Sequence, residues 1–218
     1  MAPESRRRPT DPEVSPWRRE SRRLVYENAW LQVLHDEVIR PDGRPGIYGV
    51  VHLLGRAVGV VAVDADDRVI LVGQYRYTMD RYSWEIPEGG VPLDEDPLDG
   101  ARRELREETG VVAATWREIA RFELSNSVTD EVGVLYLATD LTDGPAEPDG
   151  TEELALLRVP FDEALAMVER GDIRDAMSQL AIEKVARLRA LGRASVGLDP
   201  HRGQGEVAGV ASEDSGIE

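Results

Sequence analysis

The sequence predicts a mixed α/β (α+β) protein, and three observations predict it. Short β-branched runs recur along the chain, two apolar-striped and well-capped segments close it, and a helix-permissive acidic segment lies between the strand-like runs. Residues 24–39 alternate weakly through Trp30, Leu31, Val33, Val38 and Ile39, which predicts one or two strands. Pro41, Asp42 and Gly43 supply turn chemistry and predict a hairpin there. Residues 58–63 and 69–72 are β-branched runs on either side of a polar turn at 64–68. They predict a hairpin in a sheet buried on both faces. Residues 122–124, 132–138 and 154–159 predict further strands, the last stopped by Pro160. A helix is predicted over 161–170, with Ala164, Leu165 and Val168 inward and Gly171 ending it. A second is predicted over 176–191, with Asp175 as N-cap, Gly192 as terminator and Leu180, Val185, Leu188 and Leu191 as its buried stripe.

Composition narrows the function. With 41% hydrophobic and 31% charged residues, the chain reads as globular, and no apolar run approaches a membrane span of about 20 residues. The absence of cysteine excludes disulfides, thiolate nucleophiles and cysteine metal sites. The N-terminal arginines are followed by no apolar core, so no secretory signal is predicted and the cytoplasm is the expected compartment. A net charge of −16 argues against a nucleic-acid duplex as partner, because backbone binding needs a basic face. Residues 1–20 and 195–218 are proline-rich or Gly/Ser/acidic and predict disordered tails.

The informative segment lies between Gly89 and Val111. Asp96 and Pro97 predict a helix start, and nothing but Gly100 opposes a helix as far as Thr109. At about 100° per residue, Glu104, Glu107 and Glu108 share one face, beside an apolar stripe of Leu98, Ala101 and Leu105. Like charges at these spacings repel by a few tenths of a kcal/mol per pair. Such a cluster is either a solvated acidic face or a set of ligands for hard cations, which favour oxygen donors. Gly89 and Gly90, just ahead of the helix, let the backbone come close to a ligand.

Gly89, Glu95 and the run Arg103-Glu104-Leu105-Arg106-Glu107-Glu108-Thr109-Gly110-Val111 together resemble a complete Nudix box. A chain of average composition and this length would contain that pattern about once in a million. The resemblance implies an α/β/α sandwich with a mixed sheet and a loop–helix–loop that binds Mg²⁺ or Mn²⁺. It implies Glu104 and Glu108 as main metal ligands, Glu107 as an assisting or bridging one, and the backbone carbonyl of Glu88 as a further ligand. Arg103 would orient a glutamate, and Glu95 would brace the loop.

Outside the box, Gln74-Tyr75-Arg76 and Trp84-Glu85-Ile86-Pro87 resemble the ADP-ribose and nucleoside-diphosphate-sugar pyrophosphatases. That resemblance makes Arg76 a pyrophosphate contact, against a surface salt bridge. Glu85 is a contact to metal or substrate, or a partner of the loop backbone. Thr151-Glu152-Glu153-Leu154 resembles the late loop that carries a catalytic glutamate, with Glu153 the first choice of base and Glu152 the second. Residues 124–131 lack the proline that ADP-ribose enzymes of this type carry, so GDP-mannose and other nucleotide sugars stay open as substrates.

Residues 21–55 resemble the small β-domain that such enzymes exchange across a homodimer, ahead of a hydrolase domain at 56–194. Trp30 there either stacks on a substrate base or belongs to a core or interface. The expected activity is hydrolysis of ADP-ribose or a related nucleoside-diphosphate sugar to a nucleoside monophosphate and a sugar phosphate. The alternatives are another nucleotide substrate, such as a dinucleoside polyphosphate or NADH, or a non-catalytic nucleotide sensor.

Overall fold

The computed structural model describes residues 14–145 and 154–193. The chain runs β1 (Arg18–Glu27), β2 (Leu31–Ile39), β3 (Pro45–Leu53), β4 (Gly55–Ala62), β5 (Arg68–Arg76), β6 (Arg81–Glu85), β7 (Glu88–Pro92), α1 (Pro97–Thr109), β8 (Val111–Glu123), β9 (Val132–Asp143), β10 (Ala155–Pro160), α2 (Phe161–Arg170) and α3 (Ala176–Ala190). Strands β1, β2 and β3 form an antiparallel sheet of their own. Strands β10, β5 and β6 form a second. The third has the order β7-β4-β9-β8, and its β4–β9 pair is parallel, so it is mixed as expected.

Helices cover both faces of this core. Along β4, Val58, Val60 and Ala62 face a cluster that includes Ala101 and Leu105 of α1. The alternate residues Ala57, Val61 and Val63 face the cluster built by Phe161 and Met167 of α2 and by Ala181, Ile182 and Val185 of α3. The period-2 alternation of one strand thus feeds two separate cores, which is the arrangement of an α/β/α sandwich. No helix among the described residues is long and apolar enough to cross a membrane.

Two expectations change. The runs at 58–63 and 69–72 do not form a hairpin ladder. The turn between them is present, with Asp64 N–H donating to the Arg68 carbonyl at 3.0 Å, but only the single bridge Val63–Val69 links the strands. Strand β4 pairs with β7 and β9 and β5 pairs with β6 and β10, so each has both edges occupied by other partners. Runs apolar on both faces are central strands, and a central strand has no free edge for its sequence neighbour. In α3, the buried stripe is Met177, Ala181, Ile182 and Val185, while Leu180 and Leu191 are exposed. Ser178 is buried on the same side, where its hydroxyl accepts the Ile86 N–H at 3.0 Å.

Local capping follows the sequence. Asp96 accepts from the Leu98 N–H at 2.8 Å, and Gly110 at φ 72° ends α1 in the left-handed region. Asp175 caps α3 by accepting from the Ser178 N–H at 2.7 Å. The hairpin at 41–43 joins β2 to β3, closed by Arg40 N–H donating to the Arg44 carbonyl at 2.9 Å.

Candidate active site

Helix α1 and strand β7 bring the glutamates together. Glu108 is buried, and its Oε2 accepts the Glu88 N–H at 3.1 Å, which ties the helix to the strand before it. The Glu104 carboxylate lies directly against Gly89, where a side chain of any size would overlap it. This requirement for close approach is the physical reason for glycine at that position. Arg103 clamps the acidic face. Its Nη1 donates to Glu104 at 2.7 Å and to Glu107 at 3.0 Å, and its Nη2 donates to Glu95 at 3.3 Å and to the Gly90 carbonyl at 3.4 Å. These charge-assisted bonds offset the repulsion that three neighbouring carboxylates impose on one helix.

Arg76 and Glu85 form a second ionic group. Arg76 Nε donates to both Glu85 oxygens, at 3.1 and 2.9 Å, and its Nη2 donates to Glu85 and to Glu88, the latter at 3.2 Å. Glu85 is buried behind the arginine. The Glu88 side chain is buried as well; its Oε2 receives no hydrogen bond from a donor group among the described residues, and its carboxyl lies against that of Asp175. Burial, then the nearby charges of Asp175 and Glu85, push the Glu88 carboxyl well above the ordinary carboxylate range.

Most of these groups, though not Glu85 or Glu95, line one cleft of about 850 Å³, large enough for a nucleotide-sized ligand. Glu104, Glu107, Glu108 and Arg103 from α1 form one wall, with Glu88 and Gly89 beside them, and Arg76 and Met177 line it too. Trp30, 74% exposed, lines the cleft from the turn between β1 and β2. Of the residues singled out in the sequence, Glu85 does not line the cleft, and Glu152 and Glu153 lie outside the described residues.

Sequence reasoning assigned no role to two further lining residues, Arg56 and Glu131. Arg56 donates to the Leu93 carbonyl at 2.6 Å, and nothing in the sequence marked it. Glu131 had a signal in the acidic pair Asp130–Glu131, and burial raises its carboxyl above the usual range. Without the missing proline, the loop holds its shape by contacts to the first sheet. Val51 N–H donates to the Val128 carbonyl at 2.9 Å, and His52 pairs with Asp130 at 2.5 Å.

The donor chemistry fits a hard divalent cation. Five carboxylates and a glycine-lined backbone share the cleft, all oxygen donors, and one of them holds a buried oxygen with no donor opposite it. Among the described residues, no three of these side chains are gathered as a metal-holding group, and Arg103 bridges Glu104 and Glu107.

Comparison with known proteins matches two adjoining segments of the chain. Residues 53–180 match the NUDIX domain, and residues 17–51 match the nucleoside diphosphate sugar hydrolase N-terminal domain. The chain is 31% identical to the ADP-ribose pyrophosphatase of Bacillus subtilis (strain 168), across 77% of this chain and 91% of that one. It is 32% identical to the methanol dehydrogenase activator of Bacillus methanolicus, with the same two coverages. A crystal structure titled as an ADP compounds hydrolase shares the fold at a TM-score of 0.75 and 22% identity, covering 84% of this chain and all of that one. With a NUDIX match over more than half its length and a box complete from Gly89 to Val111, this chain belongs to the Nudix hydrolase family.

Proposed function

We propose that the protein is a divalent-metal-dependent pyrophosphatase of nucleoside-diphosphate sugars, with ADP-ribose the foremost substrate, yielding AMP and ribose 5-phosphate. One observation carries the reading: the box glutamates, Arg76 and the exposed Trp30 line the same nucleotide-sized cleft. The match of residues 17–51 to a nucleoside diphosphate sugar hydrolase domain supports the substrate class.

In this reading Glu104, Glu107, Glu108 and the Glu88 region hold Mg²⁺ or Mn²⁺. When bound, the metal neutralises phosphate charge and lowers the pKa of a water molecule. Arg103 keeps the glutamates from splaying apart. Arg76 binds the pyrophosphate, and Glu85 fixes its guanidinium in place instead of touching substrate. Trp30 stacks on the base. Glu153 takes the proton of the attacking water, and Glu152 is the second candidate for that role.

The protein acts as a homodimer joined through the first sheet, whose β1 is exposed along its whole length and carries Leu24, Val25 and Tyr26 uncovered. Its compartment is the cytoplasm, where nucleotide sugars and Mg²⁺ occur together.

The test is incubation with Mg²⁺ and a panel of nucleotide sugars, dinucleotides and nucleoside triphosphates in ¹⁸O-water. ADP-ribose should give AMP and ribose 5-phosphate, with ¹⁸O in one of them. Turnover of GDP-mannose in preference would move the substrate within the class. Failure to break any phosphoanhydride in the panel would end the proposal.

A further inference from the structure

A second cavity, of about 480 Å³, lies between β6 and the connection from α2 to α3, and nothing in the hydrolytic scheme uses it. It is lined by Arg81, Tyr82, Trp84, Met167, Asp172 and Arg174. Its volume falls within the range of small-ligand sites.

Its charge runs against that of the molecule as a whole. The chain carries a net charge of −16, and many of its arginines are paired with carboxylates, as in Arg22–Asp36, Arg68–Asp64, Arg76–Glu85, Arg103–Glu104 and Arg189–Asp67. Neither Arg81 nor Arg174 has a carboxylate partner among the described residues. Arg174 Nε donates only to the Gly171 carbonyl, at 2.8 Å. Asp172, the one acid in the lining, is engaged by Arg170 at 2.9 Å. The cavity therefore presents two guanidiniums without an ion-pair partner among the described residues, and guanidinium donors match phosphate oxygens in geometry.

Beside them stands an aromatic pair. Tyr82 and Trp84 meet edge to face with centroids 5.6 Å apart, and Tyr82 remains 49% exposed. Gly73 of β5 makes this possible, because a side chain there would strike both the Tyr82 hydroxyl and the Trp84 ring. Aromatic surface next to unneutralised arginines selects for an anion attached to a ring rather than for an anion alone.

We propose that this cavity is a second ligand site, for a phosphomonoester carried on a ring: a nucleoside monophosphate or a sugar phosphate. Arg81 and Arg174 take the phosphate, and Tyr82 takes the ring. The site is separate from the hydrolytic cleft but close to it. Arg81 is the register partner of Arg76 across β5 and β6, and Arg174 stands three residues before Met177, which lines the cleft.

The experiment is calorimetric titration of the full chain in EDTA with AMP, ribose 5-phosphate and inorganic phosphate. The background is Trp30→Ala with Arg76→Ala, which weakens nucleotide binding in the hydrolytic cleft. AMP should bind in this background, and adding Arg81→Gln with Arg174→Gln should weaken it roughly tenfold or more, since each replaces a charge-assisted bond. Ribose 5-phosphate binding tighter than AMP would assign the ring to a sugar. Loss of the AMP preference in Tyr82→Ala would support the aromatic contact. Hydrogen exchange on the unmutated protein gives a reading that needs no variant: AMP should slow exchange in residues 81–84 and 171–174. The proposal is overturned if AMP leaves those segments unprotected. It is also overturned if the arginine substitutions leave AMP affinity unchanged, or if inorganic phosphate binds as tightly as AMP.

Discussion

The first sheet and the hydrolase core contrast in how they are held. In β4 and β5, Val58, Val60, Val61, Val69 and Leu71 are wholly removed from solvent, each surrounded by two sheets and a helix. In β1 all ten residues are exposed, and the strand is held by its ladder to β2 and by the bidentate Arg22–Asp36 pair at 2.7 Å. Burial stabilises the core at about 25 cal/mol per Å² of apolar surface, and β1 has little of it. The α1 carboxylates sit on the buried half, while Trp30 belongs to the exposed one. Leu24, Val25 and Tyr26 of this strand are uncovered, and in the proposed function a second copy covers them.

The largest expected effect breaks the chemistry without touching either half's fold. Glu108→Gln should lower kcat by about a thousandfold while circular dichroism and Tm stay near those of the parent. A drop below tenfold would remove Glu108 from the metal set. Next in size, Leu71→Ala should cost about 2–5 kcal/mol of stability, and Leu24→Ala well under about 1 kcal/mol in dilute protein. Equal losses in urea unfolding would erase the contrast between the two regions. Arg76→Ala should raise KM about tenfold with a smaller change in kcat. Unchanged steady-state kinetics would leave Arg76 as a structural partner of Glu85.

Two smaller effects depend on pH. The bond from Arg22 holds the Asp36 carboxyl below the usual carboxylate range. Its contribution is therefore fully present above the ordinary carboxylate pKa and is lost as pH falls through the depressed value. The first sheet should lose hydrogen-exchange protection below about pH 4, before the core does, and Asp36→Asn should cost no more than about 1 kcal/mol at pH 7. Glu88 has the opposite sign. Its carboxyl is pushed up by burial, so the protein is favoured at low pH and loses that advantage as pH rises through the raised value. In EDTA, Glu88→Gln should raise Tm by about a few degrees at pH 8 and by nothing at pH 4. A loss of Tm at both pH values would show that the carboxyl is better satisfied than its surroundings suggest.

The helix α1 was legible because its signals are local: Asp96, Pro97, the 3.6-residue stripe and Gly110 all lie within one segment. The pairing of β4 was not, because it depends on β7 and β9, which are distant in sequence, while the turn at 64–68 suggested a hairpin. Strand β8 runs 13 residues, yet only its end at 122–124 had a strand signal, since a bulge between Glu118 and Ala120 shifts the alternation. Strand β7 hid inside the glycine-bearing approach to the helix. In the site, Glu104, Glu107 and Glu108 were visible by spacing, whereas the cleft positions of Arg56 and Glu131 arise only when β4, the β8–β9 loop and α1 meet in space.

In the proposed function the α1 carboxylates gather a divalent cation that hydrolysis requires. The most direct test is electron paramagnetic resonance of Mn²⁺ titrated into the protein and into the Glu104→Gln, Glu108→Gln double variant, with ADP-ribose hydrolysis followed in the same samples. The parent protein should bind Mn²⁺ and hydrolyse ADP-ribose, and the folded double variant should do neither. Equal Mn²⁺ binding by both proteins, or hydrolysis that continues in EDTA, would contradict it.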